Sequence, residues 1–153
     1  MTTKKWTNWT IILGLSGLGN LLNGVWMLFY PKSWYLYLPG AIPDFGPLNE
    51  HFVRDLGCMF IVWGVLLIWS SVDKKIRIPT LIALTLWYGT HAFVHVYDTA
   101  RGLVKSIHWL IDIPLCYAPA IIFLGMLIAL LREQAKEAKA AASASEPSEA
   151  SAQ

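Results

Sequence analysis

The sequence predicts an all-α integral membrane protein, a bundle of four transmembrane helices with both termini in the cytoplasm. The composition supports this, because 56% of the 153 residues are hydrophobic, only 14% are charged, and eight are tryptophan. The spacing of the charges supports it too. Four segments contain no Asp, Glu, Lys or Arg, and each is close to the roughly 20 residues that a bilayer core requires. These segments are residues 9–30, 56–72, 78–97 and 113–131.

With their flanking turns, these segments predict transmembrane spans at about residues 9–30, 52–72, 78–98 and 109–131. Segments so long and apolar can satisfy their backbone groups in lipid only as helices. Residues 1–133 therefore form one predicted membrane domain. The composition then changes to Ala, Glu, Lys and Ser, which predicts a disordered cytoplasmic tail over residues 134–153.

The basic residues predict the orientation. Eight of the twelve lie near the N-terminus, in the second connection and after the fourth span: Lys4, Lys5, Lys74, Lys75, Arg77, Arg132, Lys136 and Lys139. By the positive-inside rule these regions are cytoplasmic, and loops 31–51 and 99–108 are outside. We therefore expect a multi-pass protein of the cell inner membrane. The basic residues form no patch, so a nucleic-acid partner is not expected.

The first span and the loop after it have distinct patterns. Gly17, Asn20, Asn23 and Gly24 recur at helical spacing, which is typical of a helix-packing face in lipid, although the two amides could also belong to the surroundings of a site. Residues 31–50 contain four prolines and four aromatic residues, which predicts an ordered outer cap with a short interfacial helix at 32–38. Whether this cap is a lid or only a connector stays open.

Polar residues cluster near the outer ends of the later spans. His91, His95 and Asp98 stand at i, i+4 and i+7, so they share one helix face over roughly 10 Å. Ionisable groups on such a segment are costly and usually functional.

The second and fourth spans repeat this pattern loosely. Asn49 is a good N-cap for the second span, and His51 and Asp55 follow at i and i+4 with Arg54 beside them. The fourth span has the same kind of spacing in His108, Asp112 and Cys116, and Pro114 and Pro119 predict a kink between 115 and 119.

The predicted topology brings these groups to the outer leaflet, where all four histidines of the chain then lie. The candidate ligand-binding residues are His51, Arg54, Asp55, His91, His95 and Asp98, and the candidate metal ligands are His91, His95, Asp98 and His51. Three interpretations stay open: a transition metal or haem, a protonatable or small-molecule pocket, and a structural hydrogen-bond network.

Two further expectations concern residues outside this set. Cys58 and Cys116 lie inside predicted helices and show no CxxC or zinc-ligand spacing, so we expect small packing residues. His108, next to Trp109 in an interfacial loop, is expected at the surface.

The stretch HFVRDLG at residues 51–57 resembles a feature of the DoxX-like group of small four-helix bacterial membrane proteins. The resemblance covers helices one to four, and Arg54 and Gly57 correspond to its Arg-Gly element. Such a likeness implies a link to quinone-connected sulfur oxidation or to oxidative-stress complexes, and therefore to quinone or other membrane subunits as partners. The His91, His95 and Asp98 pattern does not match the group.

The sequence therefore favours a membrane protein that binds a small molecule or a metal at the outer site, as a redox-associated subunit. The alternative is a structural or assembly subunit without chemistry of its own. Catalysis is neither indicated nor excluded.

Overall fold

In the computed structural model, which describes residues 8–145, every regular element is helical and the described chain contains no strand. The helices are α1 (Asn8–Phe29), α2 (Pro31–Tyr37), α3 (Glu50–Val72), α4 (Arg77–Ala100), α5 (His108–Ile111) and α6 (Ala118–Ser145). Short 3₁₀ turns lie at Ile42–Phe45 and Lys74–Ile76, and a π-helical turn, Ile113–Tyr117, joins α5 to α6.

Three helices of the described chain are long and apolar enough to cross a membrane: α1, α3 and the continuous helix His108–Ala144. The prediction of an all-α protein is thereby confirmed, and the apolar helices indicate a membrane protein. Helix α4 has 24 residues and reaches a similar length, but its polar stripe makes it less apolar. The count of four spans stays a prediction.

Helices α1 and α3 pack as an antiparallel pair around four glycines. A Cβ added at Gly24 would lie 2.6 Å from the carbonyl oxygen of Gly57, and one added at Gly17 would lie 2.9 Å from that of Gly64. The two backbones are therefore in direct contact, as small residues permit in helix pairs within lipid. The predicted packing face of the first span is confirmed at Gly17 and Gly24.

Helices α4 and α6 form the second antiparallel pair, which packs against the first through a shared core. Leu13 and Leu67 of the first pair belong to one buried cluster with Leu84 and Phe123 of the second, and all four are at most 4% exposed. The Tyr88 hydroxyl donates to Asn20 Oδ1 at 2.8 Å, which adds a polar link between the pairs.

Residues 31–49 fold over one end of the bundle, which we call the capped end. Trp34 of α2 is 7% exposed and donates its indole N–H to Asn23 Oδ1 at 3.0 Å. The Tyr35 hydroxyl donates to the carbonyl of Gly46 at 2.7 Å, which ties α2 to the 3₁₀ turn. The cap and its short helix are as predicted, and Asn49 caps α3 by accepting from the Phe52 amide at 3.1 Å.

The last helix differs from the expectation in two places. Where Pro114 and Pro119 predict a kink, the structure has a π-helical turn, in which the Tyr117 amide donates to the carbonyl of Asp112. Proline has no amide hydrogen, and such a turn accommodates the interruption. Helix α6 also continues through Ser145, where disorder was predicted from Gln134. This stretch is rich in alanine, glutamate and lysine, which are strong helix formers. Residues 146–153 of the predicted tail lie outside the described residues.

Candidate metal centre

Two helices and the π-helical turn supply the polar side chains at the capped end. Helix α4 presents His91 and His95 one turn apart, and their rings lie 4.6 Å apart. The segment that faces α4 contributes His108 from α5, Asp112 from the junction with the π-helical turn, and Cys116 from that turn. Because α4 and α6 are antiparallel, residues distant in the sequence meet at one level of the bundle.

The carboxylate of Asp112 is the centre of a buried network. Its side chain is 2% exposed, and its two oxygens face ring nitrogens of two histidines. His95 Nδ1 lies 2.8 Å from Oδ2, and His108 Nδ1 lies 3.0 Å from Oδ1. A carboxylate only accepts hydrogen bonds, so both Nδ1 atoms carry the proton and donate. Both oxygens of this buried carboxylate are therefore paired, as a buried charge requires.

The same hydrogen bond determines what the other nitrogen of His95 can do. With the proton on Nδ1, Nε2 of the neutral ring carries a lone pair, and it lies 3.4 Å from Cys116 Sγ. A histidine that donates one nitrogen to a carboxylate and offers the other to a metal is a common arrangement in metal sites. His95 is thus oriented as a ligand, and the nearest group to its free lone pair is a thiol.

His91 completes a three-residue cluster. Nitrogen and sulfur atoms of His91, His95 and Cys116 all lie within 4.8 Å of one another. His91 has no hydrogen-bond partner in the described part of the chain, and its ring lies parallel to that of Trp87, with the centroids 6.4 Å apart. Two imidazoles and one thiolate are a donor set that zinc and copper accept.

The cap closes this cluster from the outside. Phe45 contacts both His95 and His108 edge-on, with ring centroids 4.9 and 4.8 Å apart. Asp44, in the same 3₁₀ turn, lies 3.4 Å from His108 Nε2 and 3.4 Å from the Lys105 ammonium. His108 donates to Asp44 as well as to Asp112 only with a proton on each of its ring nitrogens. This hydrogen bond and the positive charge of Lys105 hold the pKa of Asp44 below its ordinary value, although partial desolvation opposes them.

A cavity of about 240 Å³ lies beside the cluster, between the two helix pairs and under the cap. His91, His95 and Cys116 all line it. Its other walls are mostly apolar and come from α1, α2, α3 and the π-helical turn: Asn20, Asn23, Trp34, Leu56, Phe60 and Leu115 among them. All three candidate ligands are therefore next to the same open space.

The structure separates the residues that the sequence predicted for the site. His91 and His95 lie together at the cavity. Asp98 instead lies 2.9 Å from Arg101, one turn beyond the cluster. His51 is 89% exposed and faces Asp55 at 3.5 Å on the outer surface of α3.

The predicted Arg54 also lies away from the cluster. Its guanidinium is 2.9 Å from Glu50 and donates to the carbonyl of Leu28 at 3.3 Å. It contacts neither His91 nor His95, and it lines a separate surface groove with Lys32 and Tyr37.

Three residues in or beside the cluster, His108, Asp112 and Cys116, were not among the predicted site residues. Asp112 and Cys116 share one helix face with His108, and this spacing was the signal available in the sequence. The expectation that His108 lies at the surface is wrong: its side chain is fully buried, because Asp112, Asp44 and Phe45 surround it. Cys116 is 5% exposed, so it is buried as expected, but against an imidazole instead of a purely apolar surface.

The function of this site has to be inferred from its geometry, because the comparisons with known proteins found no match. No protein-family model, no curated protein and no solved structure matches the chain. The resemblance to the DoxX-like group stays a prediction.

Proposed function

We propose that this chain is a multi-pass membrane protein that binds one transition-metal ion through His91, His95 and Cys116. The observation that carries the proposal is the mutual approach of the three donor atoms, all within 4.8 Å, in a cluster whose central histidine is oriented by Asp112. Ionisable groups within membrane-spanning segments are rare and costly, and they usually mark functional sites.

The donor set favours zinc or copper. Bond lengths of about 2.0–2.3 Å place the donor atoms of a tetrahedral zinc site roughly 3.3–3.8 Å from one another. His95 Nε2 and Cys116 Sγ, at 3.4 Å, already have this separation. His91 requires an adjustment of roughly 1 Å, which a side-chain rotation supplies because no hydrogen bond restrains its ring. Three protein ligands leave the fourth position to water or a bound molecule, as in catalytic zinc sites.

Haem is the less favoured cofactor. His91 and His95 are one turn apart on a single helix with their rings nearly edge to face, so they are unable to bind opposite faces of a macrocycle. The cavity of about 240 Å³ is also below the roughly 300–1,000 Å³ of sites for drug-sized ligands.

For the membrane topology we propose four spans, with α4 as the third. Its histidines line the cavity inside the bundle, so these polar side chains do not face lipid. Basic residues flank the end of the bundle opposite the cap, where Trp9 donates to Glu133 at 2.8 Å. This supports both termini in the cytoplasm, the metal site in the outer leaflet, and the inner membrane as location.

A structural role is the second candidate, and one observation favours it. Asp112 is fully paired between His95 and His108, a pattern that also serves to fix helix register. A purely structural network, however, has no use for His91, which lines the cavity without a hydrogen-bond partner in the described chain. That difference makes binding the better supported function.

The experiment is metal loading of the full chain purified in detergent. We expect one equivalent of zinc or copper, and a cobalt-substituted protein with the absorption bands of thiolate coordination. His91→Ala and Cys116→Ser should each lose the metal, whereas His51→Ala, which changes an exposed histidine on α3, should retain it. Folded protein that binds no metal under any of these conditions would overturn the proposal.

The identity of the metal decides the next question. Copper would support a redox-associated subunit, because zinc has no redox chemistry. Quinone and further membrane subunits stay predicted partners.

A further inference from the structure

We infer that this chain forms a parallel dimer in the membrane through the exposed face of α3, with His51 of each copy paired to Asp55 of the other. The positions of this face, which we call the α3 seam, are His51, Asp55, Cys58, Val62, Val65 and Trp69. The seam lies on the side of α3 opposite to Gly57 and Gly64, which contact α1. It does not depend on the metal site, because no seam residue lines the cavity.

Two ionisable side chains of the seam stand on a surface that would otherwise face lipid. Helix α3 has 23 residues, so it is about 35 Å long and just spans a hydrocarbon core of roughly 30 Å. Asp55 follows the first residue of the helix by five positions, which places it roughly 5 Å inside that core. Yet the side chains of His51 and Asp55 are 89% and 64% exposed. Ionisable groups within membrane spans normally face protein or water, so a partner surface is expected here.

Pairing within one chain leaves most of the hydrogen-bonding capacity of these two side chains unused. His51 Nε2 and Asp55 Oδ2 are 3.5 Å apart, which is longer than the usual 2.7–3.2 Å of an N–H···O hydrogen bond. A carboxylate has about four acceptor sites, and an imidazole has two ring nitrogens. The neighbouring Arg54 is already paired with Glu50 at 2.9 Å. Since the hydrocarbon core contains no water to complete these bonds, a second protein surface is the remaining source of partners.

The seam is complementary to a second copy of itself. His51 and Asp55 offer a donor and an acceptor one helical turn apart. Two copies related by a twofold axis along the membrane normal therefore pair each imidazole with the carboxylate of the other copy. A different protein would have to bring an acid and a base in the matching order, whereas a second copy always has both.

The other long helices present no such pair to the lipid. Helix α1 and residues 118–131 of α6 contain no Asp, Glu, His, Lys or Arg. The histidines of α4 line the cavity, and Asp98 near the end of α4 is paired with Arg101 at 2.9 Å. Within the described spans, the polar contact surface is thus a property of α3.

The rest of the seam has the spacing of a helix–helix contact. Its positions follow one another at intervals of four, three, four, three and four residues, which is the a and d spacing of a left-handed helix pair. All of them stay within about 40° of one line along the helix. Val62, Val65 and Trp69 are 51–52% exposed. A second α3 would bury this stripe, and the polar pair at its outer end would set the register of the two helices.

Cys58 provides a direct test of this contact, because it is exposed on the seam whereas Cys116 is buried. Facing seam positions of a helix pair come close enough for a disulfide bond. Native membranes that contain the full chain are treated with copper phenanthroline, which accepts the two electrons of the oxidation. We expect a reducible product of twice the chain mass. Cys116→Ser should still form this product, and Cys58→Ser should lose it.

Two new cysteines in the Cys58→Ser chain separate a specific contact from random collision in the membrane. Val62→Cys lies on the seam and Leu86→Cys lies on α4, and both positions are exposed, at 51% and 64%. We expect a cross-linked dimer from Val62→Cys and none from Leu86→Cys. Equal cross-linking of the two, no cross-link from any seam position of the folded chain, or a product whose mass reveals a different protein would overturn the inference.

A mixture of two variants tests the polar pair across the interface. His51→Ala and Asp55→Ala each lose the pair within the chain and in their own homodimers, but a mixed dimer keeps one His51–Asp55 contact between copies. Energy transfer between labelled chains in liposomes should show mixed dimers at least about threefold more stable than either homodimer, the worth of one interhelical hydrogen bond. Equal stability of mixed dimers and homodimers would overturn the pairing.

The outcomes are separate from those of the metal proposal. None of these variants changes His91, His95 or Cys116 except Cys116→Ser, so metal loading of the others tests the metal site alone. A chain that cross-links through the seam but binds no metal would lose the proposed function and keep the dimer. A chain that binds metal without a seam cross-link would keep the function and lose the dimer.

Discussion

His95 donates its Nδ1 hydrogen to the buried carboxylate of Asp112 at 2.8 Å, across the contact between α4 and the α5–α6 junction. This bond decides the tautomer of the imidazole and turns the lone pair of Nε2 toward Cys116. A group outside the cluster of ligands therefore determines which nitrogen of His95 is free to bind a metal.

Replacement of that carboxylate should weaken the metal site without removing a ligand. For Asp112→Asn we expect metal affinity about 10–100-fold lower, because the amide orients His95 and raises its basicity less well than a carboxylate. A competition titration with a chelator of known affinity measures the change. Asp98→Asn is the control, since Asp98 pairs with Arg101 outside the cluster. Equal affinities for both variants would show that the orientation of His95 does not matter.

The glycine contacts between α1 and α3 should dominate the stability of that pair. In Gly24→Ala the new Cβ would lie 2.6 Å from a carbonyl oxygen on α3, so the helices must separate. We expect a loss of about 1–3 kcal/mol in the free energy of unfolding, typical of an overpacked core. Unfolding in mixed micelles measures it. Gly89→Ala on α4 is the matched control, because its Cβ would meet nothing within 4 Å, and it should be neutral or slightly stabilising.

The sequence alone was sufficient to predict the helices and the local features beside them. The charge-free segments predicted α1 and α3 closely, Asn49 predicted the start of α3, and the prolines of residues 31–49 predicted an ordered cap. These features depend on neighbours within one or two helical turns, which a sequence displays directly.

The site was only partly predictable, because its contacts join different helices. The spacing of His91 and His95 was visible within one helix. Their approach to Asp112 and Cys116 depends on the rotation of the last helix, and the π-helical turn at Ile113–Tyr117 shifts that rotation by part of a turn. No pattern within a single helix reveals this shift. The burial of His108 was missed for a related reason, since the cap residues Asp44 and Phe45 lie more than 60 positions away.

The contact between the cap and His108 should make stability depend on acid pH. The pKa of Asp44 in the folded protein is below its ordinary value of 3.8, so the contact stabilises the fold above that pH and is lost as pH falls through the lowered pKa. We expect Asp44→Asn to lower the unfolding temperature at neutral pH. This gap, the difference in unfolding temperature between the variant and the natural chain, should close in strong acid. Glu137→Gln, exposed on α6, should show no gap at any pH. A gap for Asp44→Asn that persists in strong acid would contradict the assignment.

The hydrogen bond from Tyr88 to Asn20 should hold the two helix pairs together at the level of the cavity. Tyr88→Phe keeps the ring, which is 6% exposed, but leaves Asn20 Oδ1 without its donor. Interhelical hydrogen bonds in membrane proteins are worth roughly 0.5–2 kcal/mol, so we expect a loss of that size in the free energy of unfolding, measured in mixed micelles. Thr90→Val removes a hydroxyl that bonds only to the backbone of its own helix, and should cost less. A smaller loss for Tyr88→Phe than for Thr90→Val would mean that apolar packing alone joins the pairs.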